Sequence, residues 1–155
     1  MLKIAVLMVL FALFTGCASV KMEATAASEN AKKFAQPASG NAGVYIYRDN
    51  SILGGALKKD VWLNGKCIGE SAPGTFFHTE VAAGKHTLST ESEFSPNDLA
   101  ILVDEGRNYF YRQFMKVGLV VWGAGLESVP EEQGKAAVAK LLLASGGTCS
   151  ESYTR

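Results

Sequence analysis

The dipeptide Asn64-Gly65, set between "DVWL" (60–63) and "KCIGES" (66–71), constrains this chain more than any other stretch. A two-residue type I′ turn needs positive φ at both positions. Asn and Gly supply it at little cost, and the turn then joins two antiparallel strands. The same pattern recurs along the chain. "AGVYIYRD" (42–49) is β-branched and aromatic and predicts a strand. "GTFFHTEVAAGKHTLSTESE" (74–93) predicts a strand to Val81, a turn between antiparallel strands at Ala83-Gly84, and a second strand from Lys85. "LAILVDEGRNYFYRQFMKVG" (99–118) predicts two more strands about Asp104-Glu105-Gly106, and "LVVWGAGLESV" (119–129) another, bent by Gly123 and Gly125. Short strands at this spacing, with no βαβ alternation, predict a mainly β fold: an antiparallel β-sandwich of about seven strands.

The period changes near the C-terminus. Ser128-Val129-Pro130-Glu131 fits a helix capping box, with Ser128 as N-cap and Glu131 reaching back. Glu131 and Lys135 stand four apart for a surface pair. Val138, Leu141 and Leu142 line one face, which predicts a C-terminal α-helix packed on the sheet and ended by Gly146-Gly147. Residues 31–146 are therefore the domain, and 147–155 a polar tail. Before it, "ASVKMEATAASEN" (18–30) is small and polar, so 17–30 reads as a flexible tether. A short helix over 28–35 offers Phe34 as its apolar contact.

Residues 1–16 look like an export signal. Lys3 precedes an uncharged apolar run over 4–14, too short for the roughly 20 residues of a membrane span. The run ends in Phe14-Thr15-Gly16-Cys17, which resembles the bacterial lipoprotein box. That resemblance implies a diacylglycerol on the Cys17 thiol and removal of 1–16. Two or three acyl chains would hold the protein permanently, whereas one binds marginally. In Gram-negative lipoproteins Asp after the cysteine tends to retain the protein in the inner membrane, so for a Gram-negative host the resemblance with Ala18 there implies the outer membrane, with the domain in the periplasm.

A second resemblance covers residues 31 to 115. "AKKFAQPASGNAGVYIYRDN" (31–50) followed by "VWLNGKCIGESAPGTFFHTEVAAGKHTLS" (61–89) is similar to the DUF2846 group of bacterial lipoproteins, whose function is uncharacterised. The second half of that run also resembles PEGA-type surface β-domains, with Ala83 where Pro is usual. The resemblance implies an all-β domain on an envelope lipoprotein and carries no catalytic residues with it.

The residues able to do chemistry are few. Cys67 and Cys149 are the cysteines besides Cys17. An oxidising periplasm permits a disulfide between them, and two unpaired thiols is the equal alternative. His78 and His86 are the only histidines. With Cys67 they make a candidate metal set or a nucleophile and base, although no metal-ligand spacing is present and no helix N-terminus activates Cys67. No nucleophile elbow or phosphate loop occurs, and Gly118, Gly123 and Gly125 read as bulges. Basic and acidic residues number 15 each, which argues against a nucleic-acid partner. Adjacent aromatics such as Phe76-Phe77 point to opposite faces, so sheet packing under the helix is the commoner reading of the aromatics, and an exposed member able to bind a partner or glycan is the alternative. The expected role is a non-enzymatic binding or structural module of the envelope, without cofactor. An enzyme or metal-binding protein using Cys67, His78 and His86 is the alternative, and a groove for an apolar ligand under the C-terminal helix a third.

Overall fold

The computed structural model describes residues 18–154. The elements are α1 (Thr25–Ala31), β1 (Asn41–Arg48), β2 (Lys59–Leu63), β3 (Lys66–Ser71), β4 (Thr75–Ala82), β5 (Gly84–Thr90), β6 (Asn97–Val103), β7 (Asn108–Lys116), β8 (Gly123–Val129), α2 (Glu131–Val138) and β9 (Leu142–Leu143). They build a five-stranded sheet, β8-β7-β1-β4-β9, facing a four-stranded sheet, β3-β2-β5-β6. The fold is mainly β and sandwich-like, with nine strands rather than seven among the described residues. The larger sheet is mixed, not antiparallel: β1 runs parallel to β7 and β4 parallel to β9.

Strand β1 shows why the molecule has three layers. Its residues from Ala42 onward are buried on both faces. Successive side chains alternate sides, so Val44 and Ile46 enter the core between the sheets while Tyr45 and Tyr47 point outward. Phe77, Leu88, Val61 and Val103 fill the inner core. The outward aromatics are roofed by the two helices. Phe76 and Phe110 join Tyr45, Val138 and Leu141 in a second core. Each such large apolar side chain contributes about 1.5–3 kcal/mol on full burial. Phe76 and Phe77 therefore do point opposite ways, but both are buried, because both faces of this sheet are covered.

Asn64 and Gly65 have φ of 51° and 75° and close the β2–β3 hairpin as the sequence predicts. Ala83-Gly84 is different. It joins β4 in one sheet to β5 in the other, so it is a corner between layers and not a hairpin turn. Asp104-Glu105-Gly106 likewise carries the chain from β6 to β7 across the layers. Local turn chemistry is the same in both cases, and only the partner strands differ.

The C-terminal helix is shorter than expected and starts later. Ser128 lies in β8 opposite Tyr111, since the edge of β7 offers its backbone groups a full strand partner. The helix begins after Pro130, with no side-chain cap. Val138 and Leu141 are buried, but Leu142 belongs to β9 and is 56% exposed. Residues 119–122 precede β8 as a loop, and the strand starts at Gly123.

The segments expected to be loose are packed. In place of a tether over 17–30, the described part pairs Met22 with Ala144, and the Glu23 amide donates to the Leu143 carbonyl at 2.9 Å. Helix α1 spans Thr25–Ala31, earlier than 28–35, and Ser28 and Ala31 are buried. Phe34 then turns back at φ 49° and packs edge-on against Tyr45 and Phe110. The described part of the tail, 147–154, is a strap over the outer face of the smaller sheet. Tyr153 lies 5.7 Å from Trp62, ring to ring.

Candidate functional site

The strap is secured by a disulfide. Cys67 and Cys149 are bonded, with Cα atoms 6.0 Å apart across 82 residues of sequence. Beside it the Asp60 carboxylate accepts from the Ser150 and Glu151 amides at 3.1 and 2.8 Å and from the Ser150 hydroxyl at 3.1 Å. Burial raises the Asp60 pKa, and these hydrogen bonds oppose the rise by favouring the ionised form. Sequence reasoning missed Asp60. A lone acid inside a strand run is the signal that could have found it, because an acid is seldom fully buried unless partnered.

The two histidines do different structural work. His78, on β4, stacks on its cross-strand neighbour Tyr45, with ring centroids 4.3 Å apart. His78 is exposed as a residue, while the Tyr45 ring stacks on its imidazole. That cover lowers its pKa from the ordinary value, against an opposing pull from Glu80. His86, on β5, bonds Asn64 Nδ2 at 2.8 Å and the Ala82 carbonyl at 2.8 Å, so it ties the hairpin turn to the corner beside it. The histidines thus belong to opposite sheets. Cys67 and His78 line one cleft, but the Cys67 sulfur is bonded to Cys149 and His86 is elsewhere. No group of three or more His, Cys, Asp or Glu among the described residues could hold a metal ion. Cys17, the expected lipid site, and the signal 1–16 lie outside the described residues.

The cleft encloses about 330 Å³ between α1, β3, β4 and β9, lined by Glu23, Ala27, Ile68, Phe77, His78 and Leu143 among others. It mixes apolar walls with a carboxylate and an imidazole, which suits a small polar-apolar group such as a peptide side chain or a sugar. Where the third possibility placed an apolar groove under the C-terminal helix, the described α2 packs directly on β7. Gly134 of α2 sits so close to Phe110 that a Cβ there would come within 2.3 Å of it.

A buried polar chain joins the sheets. Gln113 of β7 accepts from the Ser71 hydroxyl and donates to Thr90 Oγ1 at 2.7 Å, and Thr90 donates to the Asp60 carbonyl at 2.8 Å. Arg48, also buried, donates to the Leu57 and Gly54 carbonyls at 2.7 and 2.6 Å and so fastens the loop after β1. Burial lowers its pKa.

Residues 38–125 match the family described as "Protein of unknown function (DUF2846)". An uncharacterized protein of Haemophilus influenzae (strain ATCC 51907 / DSM 11121 / KW20 / Rd) is 52% identical over 132 residues, covering 85% of this chain and 78% of its own length. No solved structure matches.

Proposed function

The chain belongs to the DUF2846 family, and we propose that it is a lipid-anchored protein of the bacterial cell envelope, held by Cys17 at the periplasmic face of the outer membrane, working as a non-enzymatic binding or structural module. The apolar run before the Phe14-Thr15-Gly16-Cys17 box supports export and acylation. The Cys67–Cys149 disulfide supports an oxidising compartment, where such bonds persist. The observation that carries the non-enzymatic reading is how the reactive side chains are used: Cys67 in a disulfide, His78 in a ring stack, His86 in a turn. The cleft beside His78 fits a protein side chain or a glycan of the envelope.

The test is the intact mass of the protein purified from envelopes of a Gram-negative host, with Cys17→Ser beside it. A wild-type chain starting at Cys17 and carrying acyl mass, and an unacylated variant, are expected. A wild-type chain with unmodified Cys17 ends the anchoring reading. Hydrolytic activity or metal uptake appearing in Cys149→Ser, which leaves the Cys67 thiol unbridged beside His78, would instead favour the enzyme or metal alternative.

A further inference from the structure

One end of the sandwich gathers three loops: 49–58 after β1, 91–96 after β5 and 117–122 after β7. Their tips carry Ile52, Phe94, Leu119 and Val120, which are 99, 83, 93 and 82% exposed. Large apolar side chains gathered at one end of a protein mark a surface that meets something apolar. These loops are also fastened to the sheet and to one another. Arg48 holds the first through the Gly54 and Leu57 carbonyls. The Glu93 carboxylate, in the second, accepts the Leu119 and Val120 amides of the third.

The N-terminus of the described chain identifies the occupant. The Ala18 amide donates to the Gly55 carbonyl at 2.9 Å, inside the first of these loops. Cys17 immediately precedes Ala18 in the sequence. We propose that this apolar end docks into the acyl region of the same bilayer that Cys17 anchors in, so that lipid and loop tips enter the membrane side by side. The inference rests on acylation of Cys17. The charges near the tips are mostly partnered: Asp49 with Arg112 at 3.5 Å, Glu91 with Lys59 at 2.8 Å, Lys58 with Glu70 at 2.7 Å, and Glu93 with backbone amides; Lys116, exposed at the end of β7, has a stem long enough to reach the headgroups. Trp122, half-buried at the base of the third loop, stands where an indole meets the headgroup boundary. The contact is apolar, so it should persist at high salt, where a docking driven by surface charge is screened. A second copy of the chain could cover the same tips, but the anchor residue beside them favours the bilayer.

The test uses the full mature protein from envelopes, reconstituted in phosphatidylethanolamine–phosphatidylglycerol vesicles with brominated or ordinary acyl chains. Wild-type tryptophan emission is expected to fall in the brominated vesicles. Trp122→Phe should abolish the fall, because Trp62 is buried. Ile52→Asp/Leu119→Asp should abolish it as well, and both changes fall on exposed positions outside the core. Acylated Cys17 with emission equal in the two vesicle types overturns this inference and leaves the anchoring reading standing. So does crosslinking of the tips to a second chain without quenching. An unmodified Cys17 overturns both.

Discussion

Asp60 and Cys149 act on the same strap by different means. Asp60→Ala leaves the Ser150 and Glu151 amides without their acceptor, and a lost partner of this kind costs about 1–3 kcal/mol. Cys149→Ser removes a crosslink spanning 82 residues, for which about 2–4 kcal/mol is typical. Urea unfolding of each variant should show both losses, and an unchanged midpoint for Cys149→Ser would mean the bridge is idle. His78 gives a pH signature. Its folded pKa lies below the ordinary histidine value of 6.5 because Tyr45 and the strand desolvate it. The unfolded chain therefore binds the proton more readily. The stability His78 contributes is present above about pH 6.5 and is lost as pH falls towards its lowered folded value. The effect is small, since His78 is exposed. An NMR titration should place the His78 midpoint below 6.5, and Glu80→Gln should lower it further, because the Glu80 charge is what holds it up.

Helix α2 separates pattern from packing. Ala is the better helix former by about 1 kcal/mol, so propensity alone says that Gly134→Ala stabilises. The Phe110 side chain says the opposite, because a new Cβ would overlap it unless α2 lifts from β7. A lowered melting temperature is expected for Gly134→Ala, and a raised one would show that the helix gives way freely. Leu141 and Leu142 form a matched pair. Leu141→Asp puts an unpaired charge into a site 5% exposed and should destabilise strongly. Leu142→Asp falls on a residue 56% exposed and should leave the melting temperature nearly unchanged. Equal effects from the two would mean that the helix presents both residues alike, as its sequence period suggests and the described fold does not allow.

At the scale of the whole molecule, the region matching the family, 38–125, is less than the folding unit. Outside it lie Ala31, Phe34, Val138 and Leu141, which cover Tyr45 and Phe110, and Ala144, which joins the core between the sheets. Cys149, the partner of Cys67, lies outside as well. The isolated 38–125 fragment should therefore lack a cooperative unfolding transition, whereas 18–155 should show one by calorimetry. A sharp transition in the fragment would reduce the flanking segments to ornament.

Local chemistry was legible wherever it is self-contained. The Asn64-Gly65 hairpin, the β-rich class, the Glu131–Lys135 pair at 2.7 Å and the opposed directions of Phe76 and Phe77 all follow from residues near one another in the chain. Cys67 and Cys149 could be named as candidates, but nothing in 82 intervening residues says that their Cα atoms come within 6.0 Å. The same holds for Ala83-Gly84, whose turn chemistry does not reveal which sheet receives the next strand, and for Ser128, whose capping potential lost to a strand partner on β7. The polar segments 18–30 and 148–154 look loose because they carry little apolar surface of their own. They are ordered by what they cover: a sheet face with aromatics on both sides, and a buried carboxylate awaiting donors. The sequence by itself determined the class of fold, its best turn and the residues with chemistry to offer. The tertiary structure alone decided which of those residues meet, because burial and strand pairing are settled between segments distant in the chain.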